Sequence, residues 1–215
     1  MTWDWGFVLK ILPSLLEGVC YTVLVTLASS AIALTVGLLL AILESVSIRL
    51  TRSFVRFWLE LFRGVPSLVI LYFVFYALPQ VGITLPAIPI GIGVLGIVYS
   101  AYCSEVYRGS LITISSELRD ACVALHLSPY TRWQCVLVPL MVKRSVPALL
   151  NYVLGMFRET AVLFAIGVPV LMGQANVVGY ESFRYLEPFT LAGLIYLGMN
   201  MPFLYLLSRF KDMQV

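Results

Sequence analysis

Residues Gly18 to Leu43 read GVCYTVLVTLASSAIALTVGLLLAIL, with no charged side chain among them. About 20 apolar residues suffice for a helix to cross a hydrocarbon core of about 30 Å, so the stretch is predicted to be a transmembrane span. Ser29, Ala33, Gly37 and Ala41 recur along it at every fourth position, which gathers small side chains on one face and marks that face for close contact with another helix. The rest of the 215-residue chain agrees: 60% of it is hydrophobic, 12% is charged, and the mean hydropathy is +0.95. Soluble domains run at about 45–50% apolar and about 25% charged, which excludes an ordinary water-soluble enzyme. A net charge of +3 is too small an excess for a nucleic-acid binder.

Four further spans follow from the same reasoning. The uncharged stretch between Arg63 and Glu105 is broken by Pro79, Gly82, Pro86 and Pro89, which divides it into helices at Leu59–Leu78 and Ile88–Tyr107. A fourth span is predicted at Val146–Ile166, carrying Arg158 and Glu159, and a fifth at Pro188–Ser208. The expected fold is all-α and integral to the membrane, with five transmembrane helices and a two-helix cytoplasmic loop. Arg49, Arg52, Arg56 and Arg63 fall between spans one and two, Arg108, Arg119, Arg132, Lys143 and Arg144 between three and four, and Arg209 and Lys211 after five. Lys10 and Arg184 stand alone on the other side, so the positive-inside rule puts the N-terminus outside and the C-terminus in the cytoplasm. The domain plan is an external interfacial arm over residues 1–17, one transmembrane domain over 18–208 with its cytoplasmic loop at 109–144, and a cytoplasmic tail at 209–215. No basic start precedes the apolar part of the arm, so it is read as retained.

Cys20, Cys103, Cys122 and Cys135 form no CxxC pair, and the sole histidine, His126, completes no metal set. The string GIGVLG, with Gly91, Gly93 and Gly96, lies in an apolar helix and not between a strand and a helix, so it is read as a packing surface. No GxxxxGK[ST] loop occurs, and nucleotide-driven transport would need its ATPase on another chain.

The loop Ser115–Pro139 reads SSELRDACVALHLSPYTRWQCVLVP. A first helix starts at Ser115 or Ser116 as N-cap, with Glu117 and Asp120 near its positive end. A second starts at Ser128 as N-cap with Pro129 in the first helical position. This stretch resembles the cytoplasmic loop of ABC importer permeases, whose pattern is Glu-Ala-Ala, three residues, Gly, nine residues, then Ile-x-Leu-Pro. Asp120, Ala121 and Cys122 stand at the Glu-Ala-Ala positions, His126 at the glycine, and Val136, Val138 and Pro139 at the closing positions. If the loop needs a left-handed residue at the glycine, His126 is strained there.

Three more stretches are similar to the polar-amino-acid branch of that family: ELFRGVPSLVILYFVFYALP (Glu60–Pro79), AYCSEVYRGSL (Ala101–Leu111) and FRETAVLFAIGVPVL (Phe157–Leu171). The resemblance implies a type I importer permease, a non-catalytic subunit in a bacterial cytoplasmic membrane that moves a polar amino acid or an opine- or ectoine-like solute. It implies a cytoplasmic ATPase dimer that binds the ATP and magnesium, an external substrate-binding protein, and a second permease subunit. The departure at His126 favours a related paralogue over a second copy. No cofactor, metal or nucleic acid is expected on this chain, and its other surroundings are lipid.

Within that reading Asp120, Ala121, Cys122, His126, Ser128, Pro129 and Pro139 are the ATPase-coupling residues. Arg158, Glu159, Asn151 and Thr160 are the candidates for the substrate path, since ionisable groups in a span face a partner or an aqueous cavity. Adjacent helical residues point about 100° apart, which predicts Arg158 and Glu159 on different faces, with Glu159 aligned on Gly155 and Asn151. An ion pair with another helix or subunit is the alternative for both. Glu105 and Arg108, three apart, are expected to form a local salt bridge, and Arg63 to anchor the head of span two. The competing function is an ion-gradient-driven carrier of a small zwitterion, using Arg158 and Glu159 as a relay.

Overall fold

In a computed structural model the structure describes residues 3–45 and 49–212. Helix α1 (Trp5–Ser45) has 41 residues, about 60 Å at 1.5 Å per residue. It starts well before Gly18, so the expected arm is not a separate element but the first turns of α1. Packing explains the extension. Ile11 and Leu15 are buried against Leu171, Ala175 and Ala192, and a Cβ on Gly18 would lie 2.8 Å from the Leu171 Cα.

The expected span Leu59–Leu78 is replaced by two helices, α2 (Arg49–Gly64) and α3 (Ser67–Gln80), which meet at 102°. Pro66, with ψ 135°, disfavours helical geometry at the residue before it and so ends α2. Helix α2 is amphipathic, with Val55 and Leu59 buried and its arginines on the open side.

Helix α4 (Ala87–Ile112) covers the third expected span and packs closely on α1. Ser29, Ala33, Gly37 and Ala41 are all buried in that interface, as their spacing predicts. Gly96 meets Ile32 there, and Gly91 meets the Leu163 side chain, whereas Gly93 faces open space.

The loop expected to be cytoplasmic begins as its sequence predicts and ends differently. Helix α5 (Ser116–Ala124) is capped by Ser115, whose hydroxyl accepts from the Leu118 N–H at 3.4 Å. At its other end the His126 N–H donates to the Val123 carbonyl and the Leu127 N–H to the Cys122 carbonyl, the two bonds of a Schellman cap. His126 occupies the left-handed position of that cap, at φ 54°. Ser128 then caps α6 (Pro129–Thr131). This second helix does not stop as a short loop element. It continues through a π-helical turn (Arg132–Leu137) into α7 (Val138–Glu159) and a 3₁₀ turn (Thr160–Ile166), 38 residues in one run. Pro139 has no N–H and crowds the carbonyl four residues back, and the wide turn accommodates it by pairing the Val138 N–H with the Trp133 carbonyl five residues back. The helix that carries the fourth span therefore starts earlier than Val146, at Pro129.

Helix α8 (Leu171–Ser182) was not expected, and α9 (Leu186–Asp212) contains the fifth predicted span. The predicted tail is helical as far as Asp212, and residues 213–215 lie outside the described residues. By length and composition three helices among the described residues can cross a membrane, four with the bent α2–α3 pair, and α9, at 27 residues, has the length for a fifth.

Candidate functional site

The α2–α3 corner, the middle of α4 and the end of α7 enclose an open cavity of about 580 Å³. The corner contributes Arg63, Gly64, Pro66 and Ser67, α4 contributes Val98, Tyr99 and Tyr102, and α7 contributes Asn151, Tyr152, Gly155, Arg158 and Glu159. Both signs of charge are present. Glu159 accepts a hydrogen bond from the Ser67 hydroxyl. Arg158 donates from Nε to the Leu154 carbonyl at 3.4 Å, and no ion pair engages it among the described residues.

Arg63 reaches the cavity from the last turn of α2. Its Nη1 lies 3.4 Å from Glu105 Oε1, and its guanidinium sits 5.8 Å from the centre of the Tyr102 ring. The expected Glu105–Arg108 pair forms at 2.7 Å, and the network runs on from Arg108 to Glu44 at 3.7 Å and from Glu44 to Arg56 at 3.5 Å. These pairs tie the ends of α1, α2 and α4 together beside the cavity. Arg63 is thus held by a carboxylate of α4, which the sequence reading did not foresee.

Of the predicted path residues, Arg158, Glu159 and Asn151 line the cavity and Thr160 does not. Thr160 is fully buried, and its hydroxyl donates to the Phe157 carbonyl at 2.6 Å, because the chain tightens into a 3₁₀ turn there and carries the side chain into the core. Arg158 and Glu159, adjacent in sequence and expected on different faces of the helix, both line the cavity at the end of α7. Ser67, Tyr99, Tyr102 and Tyr152 were missed as lining residues.

The predicted coupling residues form a surface ridge. Asp120, Ala121, His126, Ser128 and Pro129 are exposed, together with the apolar side chains of Val123, Leu125 and Tyr130, while Cys122 is buried and fastens α5 to the body. Pro139 is exposed on α7 beyond the π-helical turn. Arg119 donates to the Leu111 carbonyl and Arg144 to the Thr113 carbonyl, each at 2.8 Å, so the ridge is held at its base. The Glu117 carboxyl is held below the usual carboxylate range by its own backbone N–H and by the Ser115 hydroxyl, as suits a first-turn acid.

An all-helical chain with spanning helices, a polar cavity on a helix seam and an exposed two-helix ridge defines a membrane transport permease. The chain belongs to the family described as binding-protein-dependent transport system inner membrane component, whose model matches residues 33–211. It is an inner-membrane protein and a transport subunit. It is 34% identical over 201 residues to the "probable amino-acid ABC transporter permease protein y4tG" of Sinorhizobium fredii, with 91% of this chain and 87% of that one covered. It is 28% identical to the glutamine transport system permease protein GlnP of Escherichia coli, covering 98% and 97% of the two chains. Among solved structures it matches a crystal structure of an amino acid ABC transporter with histidines, at a TM-score of 0.91, 30% identity and 99% coverage of both chains. These matches confirm the type I importer permease fold expected from the sequence and give no support to an ion-gradient-driven carrier.

Proposed function

We propose that this chain is the permease subunit of an ATP-driven importer and moves a polar amino acid or an amino-acid-like solute through the cavity between α4 and α7. The observation that carries the proposal is the cavity itself, which presents Arg158, without an ion pair among the described residues, and a carboxylate, Glu159, to one space of the size used for small ligands. A zwitterion offers the opposite charge to each. Glutamine, named for the transport system of the similar Escherichia coli permease, is a solute of that chemical kind.

ATP and magnesium are bound, and ATP is hydrolysed, by a separate cytoplasmic ATPase dimer. The exposed ridge of Asp120, Ala121, His126, Ser128 and Pro129 seats in that dimer, with Asp120 as the anionic contact and Cys122 and Pro139 as its supports. An external substrate-binding protein delivers the cargo. A second permease subunit completes the path, and a related paralogue fits better than a second copy, since strain at His126 calls for a partner with a regular loop. The N-terminus is external and the C-terminus cytoplasmic, as the distribution of basic residues requires. Residues 1–17 lie at the external surface, 18–208 form the transmembrane domain, and 209–215 follow into the cytoplasm.

The test is Glu159→Gln in the assembled importer. Uptake is abolished while the ATPase still co-purifies with the permease. Normal uptake by this variant rejects the cavity as the path.

A further inference from the structure

A second cavity, of about 770 Å³, lies on the same seam nearer the coupling ridge, and its lining includes Val106 and Ser110 of α4 and Arg144 and Ala148 of α7. Tyr102, Val106 and Ser110 follow one another at intervals of four on α4, and so do Tyr152, Ala148 and Arg144 on α7. Residues at that spacing share a helix face, so the two cavities follow one another along the seam, with their nearest lining residues on α4 about 6 Å apart along the helix axis. Between them stand Tyr102 and Tyr152. Their rings stack across the seam at 5.5 Å and 25°, and both line the first cavity, while the residues one turn further on line the second. Arg63 lies over the Tyr102 ring and is tethered to Glu105.

We infer that the Tyr102–Tyr152 pair is the inner gate of the transport path, closing the cargo cavity from a vestibule that leads to the cytoplasm. The inference rests on the cargo reading of the first cavity. The vestibule suits a departing carboxylate, since Lys143 and Arg144 line it and no acid does. The 2.8 Å bond from Arg144 to the Thr113 carbonyl fixes one of these cations in place. The gate is also joined to the coupling ridge by one continuous helix, Pro129–Ile166, which carries Tyr152. A shear of that helix past α4 parts the rings without unfolding either element.

The test uses the whole importer in proteoliposomes without nucleotide, preloaded with radiolabelled L-glutamine and with sucrose. The double variant Tyr102→Ala, Tyr152→Ala raises glutamine efflux by about tenfold and leaves sucrose retained, while the Tyr→Phe pair stays within about twofold of the parent, as expected for a gate made of ring bulk. Tyr152→Leu, which stays apolar but is smaller and cannot stack on Tyr102, replaces the double variant if that one fails to assemble, and it too must leak. Efflux at the parental rate, or equal loss of sucrose, overturns the gate. Glu159→Gln under ATP separates the two claims: if it abolishes uptake and the tyrosine variants do not leak, the gate alone falls. If it transports normally, the cargo cavity falls and the gate with it.

Discussion

Gly37 tests the register of α1 on α4. A Cβ built on Gly37 lies 2.7 Å from the Cys103 Cβ, 2.9 Å from the Ser100 carbonyl oxygen and 3.1 Å from the Ser104 nitrogen. Non-bonded carbons settle at about 3.5–4.0 Å, so Gly37→Ala forces the helices apart by about 1 Å. Two of the three contacts are backbone of α4, and no change of rotamer relieves them. Overpacking of this kind costs about 1–3 kcal/mol. Opening the interface also loosens Ser29, Ala33 and Ala41, all buried there, and a gap of 0.5–1 Å forfeits about a quarter to a half of each dispersion contact. Alanine recovers about 1 kcal/mol of helix propensity over glycine, which leaves about 0–2 kcal/mol from overpacking, and the loosened contacts add to that loss. Gly93→Ala is the matched control, since its Cβ meets nothing within 4 Å. It gains up to about 1 kcal/mol from the same propensity term. One substitution therefore has opposite signs at two positions. Reversible unfolding of the purified permease in mixed micelles, followed by far-UV circular dichroism, measures both. A Gly37→Ala protein as stable as Gly93→Ala refutes the close approach of α1 and α4.

Asp120→Lys leaves insertion into the membrane unchanged and removes the stimulation of ATP hydrolysis by the external binding protein; an importer that still couples normally shows that the ridge docks elsewhere. His126→Gly relieves a left-handed residue, which costs about 1–2 kcal/mol for a side chain with a Cβ. Allowing for the greater chain entropy of glycine, amide exchange at 126 and 127 slows by about fivefold, and unchanged exchange means that no strain is stored there. The Asp4 carboxyl is held below its ordinary range by the Phe7 and Gly6 backbone N–H groups, and secondarily by Arg184. Its stabilisation of the N-terminal turn is complete above the ordinary aspartate pKa near 4 and is lost as the pH falls through the lowered folded value. Fluorescence of the neighbouring Trp3 and Trp5 reports that loss, and Asp4→Asn abolishes the acid transition.

The first span, Gly18–Leu43, was legible because a run of that length without charge has one physical reading in a chain of this composition. Features held by distant contacts were not. Helix α8 has no side-chain cap of its own; the Leu171 N–H donates instead to the Thr22 hydroxyl at 3.0 Å, across 149 positions of sequence. Gln174 accepts from the Ser14 hydroxyl in the same way, and these contacts also explain why α1 stays helical back to Trp5. At the cavity, Arg158, Glu159 and Asn151 announce themselves as polar groups in an apolar helix. Tyr99, Tyr102 and Tyr152 look like ordinary bulk until α4 and α7 are laid side by side. The expected span Leu59–Leu78 ran through Pro66, and the 102° break there is set by where α2 rests, with Arg63 held to Glu105.

The joint between loop and membrane shows why local signals at Pro139 mislead. A proline inside a helix normally ends or kinks it, and on that rule the second loop helix is a short, separate piece. The π-helical turn at Arg132–Leu137 instead absorbs the missing N–H, and the helix passes through to Glu159. The consequence is mechanical. A short helix on a hinge would transmit no displacement beyond the loop, whereas this one runs from the ridge at Pro129 past Arg144 and Tyr152 to the cavity at Glu159. The Schellman bonds close the end of α5 and the Ser128 cap closes the start of α6, so only the short corner at 125–128 separates the two helices. The strained His126 lies in that corner, where a rigid connection is worth more than a relaxed one.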